Sequence, residues 1–424
     1  MTLTTATLRN NDVPNWSVPL PSLKVSTLGF ATSYPRLRLA FLYNHEASHQ
    51  VAHSASVISA ILNNYPQVEV SILATSDPLI EAIRRICGED IVQRCKLIKL
   101  ELPPLRRRLL RALDSVAPLS RIEQLKLHSD LLASFDAVVV TERTSLLLRG
   151  IESCKHLKLI YISHGAGDRS IGFKKDIGNF DLILLSGEKL TARFKAAGVE
   201  NTDRIRIVGY PKLDSIPNGA PDRHQLFAND KPIVLYNPHF EPRLSSWYTM
   251  GTAVLDFFAD NKDYNLIFAP HVMMFQRRVQ ISLENFTVRL RRDLPKRYFN
   301  LPNIHIDLGS TASTDMTYTR MADIYLGDAS SQVYEFLSIQ LRPCIHLNSH
   351  HAAWNNDPNY TFWNFGAVLD DVKDLDAALK TATVDHLFYR NIQDCTVQET
   401  FSRTTERPSL RAANAIGTFL GLAA

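Results

Sequence analysis

The feature that most constrains this chain is an alternation of short apolar runs with segments of helical spacing, which occurs twice. The first series begins with the apolar run 36–43, followed by a helical segment over 51–62 and a second apolar run over 67–74. The second series restarts at 231–236. Because strand, helix and strand in succession build a parallel sheet covered by helices, each series predicts a doubly wound α/β domain.

The division between the two series is a turn-rich stretch, Ile216-Pro-Asn-Gly-Ala-Pro-Asp222. Such a stretch is typical of an interdomain linker, and 424 residues are too many for one ordinary core. We therefore predict a mobile N-terminal lead-in over 1–35, a first domain over 36–215, a second domain over 216–395 and a C-terminal helical segment over 396–424.

The composition excludes several classes of protein. A hydrophobic content of 45% and a charged content of 21% are typical of a soluble globular protein. The net charge of +4 is too small to indicate a nucleic-acid partner. The five cysteines show neither zinc nor redox spacing, and the sequence contains no apolar run of membrane-spanning length, so we expect a cytoplasmic protein.

One stretch, 322–337, reads as a short strand, a turn at Gly327-Asp328 and a helix that follows Ser330 and Ser331. The backbone N–H groups and the positive dipole end of such a helix favour an anion, most often phosphate. An ordinary capped helix, with Asp328, Ser330 or Ser331 as the cap, explains the same residues without a ligand.

Glu335 follows one helical turn later. Its carboxylate would repel a phosphate but can accept a hydrogen bond from a ligand hydroxyl. The pair of features predicts a ligand that is charged at one end and hydroxylated at the other.

His164 ends the apolar run 157–163 and is followed by Gly165 and Gly167. A histidine at the tip of a parallel strand, beside glycines that let a substrate approach, is a candidate general base. Asp168 can orient this imidazole or lie beyond the substrate. The alternative is a glycine-rich turn with a surface histidine.

Polar residues also follow the strands of the second series. They are Asn237, His239, His271, Ser330 and Ser331. Since the carboxyl ends of parallel strands share one edge of a sheet, we expect these groups to meet at a cleft between the two domains.

The loop after the first strand carries His45, His49 and His53. The sequence offers no convincing carboxylate or cysteine at ligand spacing, so we expect acceptor contacts or surface histidines there, and no metal.

Missing motifs narrow the chemistry further. The chain has no Gly-x-Gly-x-x-Gly, no P-loop and no Gly-x-Ser-x-Gly, which argues against dinucleotide redox enzymes and serine hydrolases. A phosphate-binding cleft with a lone histidine base fits transfer from an activated nucleotide donor.

Basic residues are concentrated in two regions. Arg106, Arg107, Arg108 and Arg111 lie among leucines in a predicted helix over 105–113. This helix is either an anionic-membrane contact or a domain helix with a solvated basic face. The second region consists of Gln276-Arg277-Arg278 and 289–297, and we expect it to be a helical flank.

Five short motifs resemble those of the CDP-glycerol glycerophosphotransferases, the teichoic acid polymerase family. They are His164-Gly165, Gly209-Tyr-Pro-Lys-Leu-Asp214, Leu235-Tyr-Asn-Pro-His239, Ala269-Pro-His271 and Asp328-Ala-Ser-Ser-Gln-Val-Tyr-Glu335. The resemblance implies a GT-B fold, with two Rossmann-like domains facing across a cleft. It further implies transfer of glycerol phosphate from CDP-glycerol to a polymer or lipid-linked hydroxyl, with no cofactor and with a place at the inner face of the cell membrane.

The same resemblance implies roles for individual residues. His164 would be the base and His271 would bind the donor phosphates. Gly327, Asp328, Ser330 and Ser331 would form the phosphate site, and Glu335, Asn237, Pro238, His239 and Gly209 would surround the nucleotide and glycerol. Apart from the resemblance, the positions of His45, His49, Gly165 and Asp168 in loops that follow strands of the first series predict that they face the acceptor. Two alternatives stay open: a GT-B glycosyltransferase that uses a UDP- or CMP-linked sugar, and a non-catalytic nucleotide- or polymer-binding protein.

Overall fold

In the computed structural model, the first series forms a seven-stranded sheet whose neighbouring strands are all parallel. The order across the sheet is β3-β2-β1-β4-β5-β6-β7. Its strands are β1 (Arg38–Tyr43), β2 (Glu69–Ala74), β3 (Lys96–Lys99), β4 (Ala137–Val140), β5 (Lys158–Ile162), β6 (Leu182–Leu185) and β7 (Ile205–Ile207).

The structure describes residues 36–45, 47–113, 118–276, 278–282 and 287–423. The expected lead-in over 1–35 lies outside the described residues.

The second series forms a six-stranded parallel sheet of order β12-β9-β8-β13-β14-β15 and a separate antiparallel hairpin, β10–β11. The strands are β8 (Ile233–Asn237), β9 (Asn265–Phe268), β10 (Val279–Ser282), β11 (Thr287–Leu290), β12 (Ile304–Ile306), β13 (Ile324–Gly327), β14 (Cys344–Leu347) and β15 (Ala367–Leu369). We call the β1–β7 part the first lobe and the β8–β15 part the second lobe.

Helices cover both sheets. Those of the described residues are α1 (Ala55–Asn64), α2 (Asp77–Cys87), α3 (Glu89–Gln93), α4 (Pro104–Leu113), α5 (Leu119–Leu127), α6 (Ser129–Ala133), α7 (Glu188–Ala196), α8 (Gly251–Asp260), α9 (Met273–Gln276), α10 (Thr317–Met321), α11 (Gln332–Ile339), α12 (Leu375–Phe401) and α13 (Pro408–Phe419). None of these helices combines the length and the apolar content that a membrane span requires.

Two cores lie on opposite faces of the first sheet, because successive side chains of a strand point to opposite sides. Leu39 and Phe41 of β1 pack into one core, and Ala40 and Leu42 pack into the other. The strands are therefore apolar throughout, and their polar residues are confined to the loops that follow them. This arrangement confirms the predicted α/β class with two doubly wound, Rossmann-like lobes.

The C-terminal helix returns to the first lobe. Ala412, Ala413 and Ile416 of α13 are buried in the same core as Ile58 and Ile61 of α1. The last turn of α12 also reaches this lobe: the Ser186 hydroxyl, at the end of β6, donates to the carbonyl oxygen of residue 400 at 2.7 Å. The chain therefore crosses between the lobes twice.

Three predictions about local structure differ from the observed elements. The helical flank expected over 289–297 is wrong, since 287–290 is strand β11, paired with β10. The sequence analysis missed the short edge strands β3 and β15. Helix α12 runs without a break through residue 396, where a domain boundary was predicted.

Candidate functional site

Loops from the carboxyl edges of the two sheets lie against each other, and histidines line both sides of this cleft. The rings of His49, after β1, and His271, after β9, have centroids 6.4 Å apart across the cleft. Within the first lobe, His53 and His164 are 6.2 Å apart, and within the second lobe His239 and His271 are 5.7 Å apart. The predicted convergence of histidines from both lobes is therefore present.

Burial keeps most of these histidines neutral. It lowers the pKa of His45 to about 3, with further lowering from the nearby charges of Arg121 and His164. It lowers the pKa of His49 to about 4, helped by Lys212, and the pKa of His271 to about 3. At physiological pH these imidazoles each present one donor and one acceptor rather than a positive charge.

In two second-lobe histidines, a hydrogen bond from the backbone determines which ring nitrogen carries the proton. The Nδ1 atom of His239 accepts from the N–H of Glu241 at 3.0 Å, and Nδ1 of His271 accepts from the N–H of Met273 at 3.3 Å. A neutral ring whose Nδ1 accepts carries its proton on Nε2. Both residues therefore present an Nε2–H donor, which suits a phosphate oxygen.

His164 lies in a cavity of ≈ 240 Å³ to which both lobes contribute. The first lobe supplies His164, Gly165 and Arg169, and the second lobe supplies His239 and Ser331. Buried Nδ1 of His164 has no hydrogen-bond partner among the described residues. This geometry brings the candidate base and part of the candidate phosphate site together.

Asp168 does not orient His164, in contrast to one sequence interpretation. Its carboxylate is 2% exposed and accepts from Lys189 Nζ at 2.7 Å and from the Tyr334 hydroxyl at 2.8 Å. It also accepts from the backbone N–H of Phe362 at 3.1 Å. Since Tyr334 and Phe362 belong to the second lobe, Asp168 holds the two lobes together.

Ser330 and Ser331 separate into two different roles. The Ser330 hydroxyl donates to Asn237 Oδ1 at 2.7 Å, and Asn237 Nδ2 donates to the carbonyl oxygen of Ala269 at 2.6 Å. Both polar side chains are thus used to brace neighbouring loops. Ser331 precedes α11, makes no side-chain cap and lines the cavity, so its hydroxyl is the better candidate for a ligand contact.

Asp328 is a loop anchor rather than a phosphate contact. Its carboxylate is fully buried and accepts from the N–H of His239 at 2.9 Å and from the N–H and hydroxyl of Ser246 at 2.6 and 2.8 Å. Burial raises the pKa of Asp328, and these hydrogen bonds offset part of that rise, which leaves the pKa at about 6. A buried carboxylate would repel a phosphate, so Asp328 acts by holding the His239 loop.

Glu335 also differs from the role expected of it. Its carboxylate accepts from Lys212 Nζ at 2.7 and 2.8 Å and from the Tyr210 hydroxyl at 3.0 Å. Glu335 and Lys212 are only 8% and 6% exposed, respectively. The pair joins the loop after β7 to α11, and Glu335 does not line the cavity that contains His164.

Three further residues predicted to contact the donor, Gly209, Gly327 and Pro238, have structural roles. Gly209 has φ +81 and packs against Pro408 at the start of α13, so it acts in chain packing. Gly327 lies under the Tyr325 ring, where an added Cβ would come within 2.6 Å of the ring. The carbonyl oxygen of Pro238 accepts from the N–H of His271 at 3.0 Å and so fixes that loop.

Sequence reasoning gave no role to Arg169, Lys212 or Tyr334. Arg169 stands next to Asp168 in the glycine-rich loop, and its charge acts on His239 of the other lobe. Lys212 lies within the Gly-Tyr-Pro-Lys motif, which marked the loop without revealing the ion pair. Tyr334 gave no sequence signal, because its partner Asp168 is 166 residues away.

Among the described residues, no three His, Cys, Asp or Glu side chains come together in a way that could hold a metal ion.

No protein-family model and no curated protein matches this chain. Several solved structures are similar to this chain. MnaA from S. aureus, in a co-structure with UDP, is 14% identical with a TM-score of 0.60, covering 91% of this chain and 98% of that one. A variant of the wall teichoic acid polymerase TagF is 14% identical with a TM-score of 0.56, covering 92% and 90%.

The glycotransferase of kitacinnamycin is 12% identical with a TM-score of 0.55, covering 91% of this chain and 100% of that one. Likeness at such identities shows the fold alone. This chain has a GT-B type fold, as its sequence resemblance implied.

Proposed function

We propose that this protein transfers glycerol phosphate, or a similar polyol phosphate, from a CDP-activated donor to an acceptor hydroxyl in the synthesis of a cell-envelope polymer or glycolipid. The observation that carries the proposal is the shared cavity, in which His164 of one lobe faces Ser331 of the other. The fold shared with TagF, a wall teichoic acid polymerase, supports this choice of reaction.

In the proposed reaction, His164 accepts the proton of the acceptor hydroxyl as its oxygen bonds to the β-phosphorus of the donor. The bond from that phosphorus to the bridging oxygen breaks, and CMP leaves with the electron pair. A positioned base of this kind contributes on the order of 10²–10⁴-fold to the rate. The other groups of the site stabilise the charge that develops on the phosphate.

Phosphate contacts would come from both lobes. The Nε2–H of His239 is a neutral donor at the shared cavity, where Arg169 supplies a cation. His271, whose ring centroid is 5.7 Å from that of His239, presents a second neutral Nε2–H donor beside it. Ser331 adds a hydroxyl at the N-terminus of α11, where the helix dipole favours negative charge. These residues provide the charge stabilisation, and the proposed mechanism includes no metal.

The size of the cavity favours a small transferred group. Its volume of ≈ 240 Å³ is below the roughly 300–1,000 Å³ of pockets that enclose drug-sized ligands. Aromatic side chains, Phe173, Phe194 and Phe362, close part of its wall. A glycerol group suits such a space better than a sugar ring does.

A second candidate is a glycosyltransferase that uses a UDP- or CMP-linked sugar for surface polysaccharide synthesis. The fold is shared with MnaA in a co-structure with UDP and with a glycotransferase. Because the Glu335 carboxylate is bound to Lys212, it does not distinguish a polyol from a sugar as the sequence suggested. The choice between the two candidates therefore depends on the size of the cavity.

The test is release of the donor nucleotide by the full-length protein. CDP-glycerol, UDP-glucose and a CMP-linked sugar are incubated separately with the protein, and nucleotides are separated by chromatography. We expect CMP from CDP-glycerol at a rate well above the protein-free control. Release of UDP from UDP-glucose, or of CMP only from the CMP-sugar, would favour the second candidate. No release from any donor would contradict both.

Attachment to the membrane remains a prediction of the sequence. In helix α4, Leu105 is 73% exposed and Arg108 is exposed, which suits a lipid surface carrying a lipid-linked acceptor. Arg106 is instead paired with Glu123 at 2.8 Å. The side chain of Arg111 lies outside the described part of the chain.

A further inference from the structure

A second and larger cavity, of ≈ 520 Å³, lies in the first lobe at the carboxyl edge of its sheet. Its lining includes His45 after β1, Ser76 after β2, Arg107 of α4, and Arg121 and Gln124 of α5. The proposed donor chemistry uses none of these residues. His45 lies near His164 of the other cavity, since charge on the His164 ring contributes to lowering the pKa of His45.

Polar atoms buried in this cavity have no protein partners. His45 is 1% exposed, and neither of its ring nitrogens makes a well-formed hydrogen bond among the described residues, although the backbone of Ala47 lies nearby. Gln124 is 7% exposed; its Nε2 donates to the carbonyl oxygen of Leu100 at 3.3 Å, but its buried Oε1 has no partner there. A buried polar atom without a partner costs about 1–3 kcal/mol. These atoms match ligand hydroxyl groups, which both donate and accept.

The electrostatics of the same wall favour an anion. Arg107 and Arg121 both line the cavity, and the charge of Arg121 is offset by Glu142 at 3.1 Å. Ser76 is the N-cap of α2, a helix of 11 residues, and its hydroxyl makes no cap hydrogen bond. The positive end of the α2 dipole therefore faces the cavity beside Arg107. The nearby carboxylate of Asp77 is held by a lysine, Lys99, at 2.8 Å.

We propose that this cavity binds a phosphorylated sugar or polyol, with the phosphate beside Arg107 and the N-terminus of α2 and the hydroxyls at His45 and Gln124. Its role as the acceptor site rests on the proposed function, in which the acceptor hydroxyl reaches His164, a residue near His45. The binding site itself needs no donor chemistry. The acceptor class is thus a hydroxylated compound that already carries an anionic group.

The first test measures binding to the full-length protein by calorimetry, with glucose 1-phosphate, glucose and inorganic phosphate as separate probes. We expect glucose 1-phosphate to bind more tightly than either fragment. Arg107→Gln should weaken it by about tenfold or more, as loss of a charge-assisted hydrogen bond predicts. Arg108→Gln is the matched control, because it removes the same charge from the next, exposed position of α4. It should change the affinity by less than about twofold.

An equal loss in both variants would show attraction to the basic helix as a whole, and would overturn the proposal. So would the absence of measurable binding, or free phosphate binding as tightly as glucose 1-phosphate.

A second variant, Gln124→Leu, tests the hydroxyl contacts. It should weaken glucose 1-phosphate severalfold and leave phosphate unaffected; an equal effect on both probes contradicts the assignment.

Measurements with CDP-glycerol separate this proposal from the proposed function. If CDP-glycerol is not turned over but glucose 1-phosphate binding still depends on Arg107, the proposed function fails and the binding site stands. If CDP-glycerol is turned over and Arg107→Gln changes neither binding nor the acceptor KM, the site fails and the proposed function stands.

Discussion

The two edges that face each other across the cleft use their polar residues in opposite ways. On the second-lobe side, Ser330 bonds Asn237, and the Asp328 carboxylate holds the His239 loop. On the first-lobe side, both ring nitrogens of His45 and Nδ1 of His164 are buried without partners among the described residues. At the cleft, the second-lobe edge presents donors fixed by the backbone, whereas the first-lobe edge keeps unpaired polar atoms that match a ligand.

This contrast shows that a sequence motif identifies a loop at the site more reliably than it identifies the residues that contact the ligand. Asp328 and Glu335 carried much of the sequence argument, yet both carboxylates are occupied by protein groups. Ser331, Arg169 and His164, which line the shared cavity, are the residues through which the contrast can be tested.

The largest expected effect is at the first-lobe edge. His164→Ala should lower the turnover of the proposed transfer by on the order of 10²–10⁴-fold, because the general base is lost. Binding of CDP, measured by calorimetry, should be nearly unchanged, because the donor contacts belong mainly to the second lobe. His156→Ala, which removes an exposed first-lobe imidazole, is the control. Unchanged turnover in His164→Ala would remove His164 from the mechanism.

A smaller effect is expected where Glu335 meets Lys212. Lys212→Met should reduce the free energy of unfolding by about 3 kcal/mol, since it leaves a buried carboxylate without its cation. The double variant Lys212→Met/Glu335→Gln should recover part of this loss. Urea denaturation of the three proteins measures both quantities. If Glu335→Gln instead raised KM while stability stayed the same, Glu335 would be a ligand contact after all.

The smallest effect concerns the pH dependence of stability. His346 is fully buried, neither ring nitrogen has a partner among the described residues, and burial lowers its pKa to about 3. As the pH falls below about 6.5, the unfolded chain takes up a proton that the folded chain excludes, so stability is lost progressively from about pH 6.5 down to about pH 3.

His346→Leu should therefore retain about 2 kcal/mol more of its neutral-pH stability at pH 5 than the parent protein does. Denaturant titrations at pH 7.5 and pH 5 measure this difference. His156→Leu, at an exposed position, should leave the pH dependence unchanged. A parent protein whose stability does not fall in acid would contradict the account of buried neutral histidines.

The fold could be predicted from the sequence because a buried parallel strand appears as a continuous apolar run and the loop after it begins with polar residues, so both can be located without knowledge of tertiary contacts. Strands β1 and β2, for example, lie within the apolar runs 36–43 and 67–74 that predicted them. The end of strand β11 was assigned to a helical flank, since the basic and apolar residues there have no clear period and the pairing of β11 with β10 is tertiary.

The candidate site was predicted less completely, for a related reason. Which strand a residue follows is a local property, so the convergence of His49, His164 and His271 could be inferred. Which atom a side chain bonds is not local: Lys212 and Glu335 are 123 residues apart, and Asp168 and Tyr334 are 166 apart. Nothing in a single sequence indicates that these pairs would be formed.

The double crossing of the chain has a mechanical consequence. Cleavage at the turn-rich stretch 216–222 would leave the halves tethered through α12, whose last turn is bonded to Ser186, and through α13, which is packed on α1. When a hinge motion widens the cleft, the chain must bend at both crossings at the same time. This favours rotation of one lobe about a single axis over unrestricted rotation. Limited proteolysis at that stretch should accordingly yield a nicked protein that still migrates as one particle.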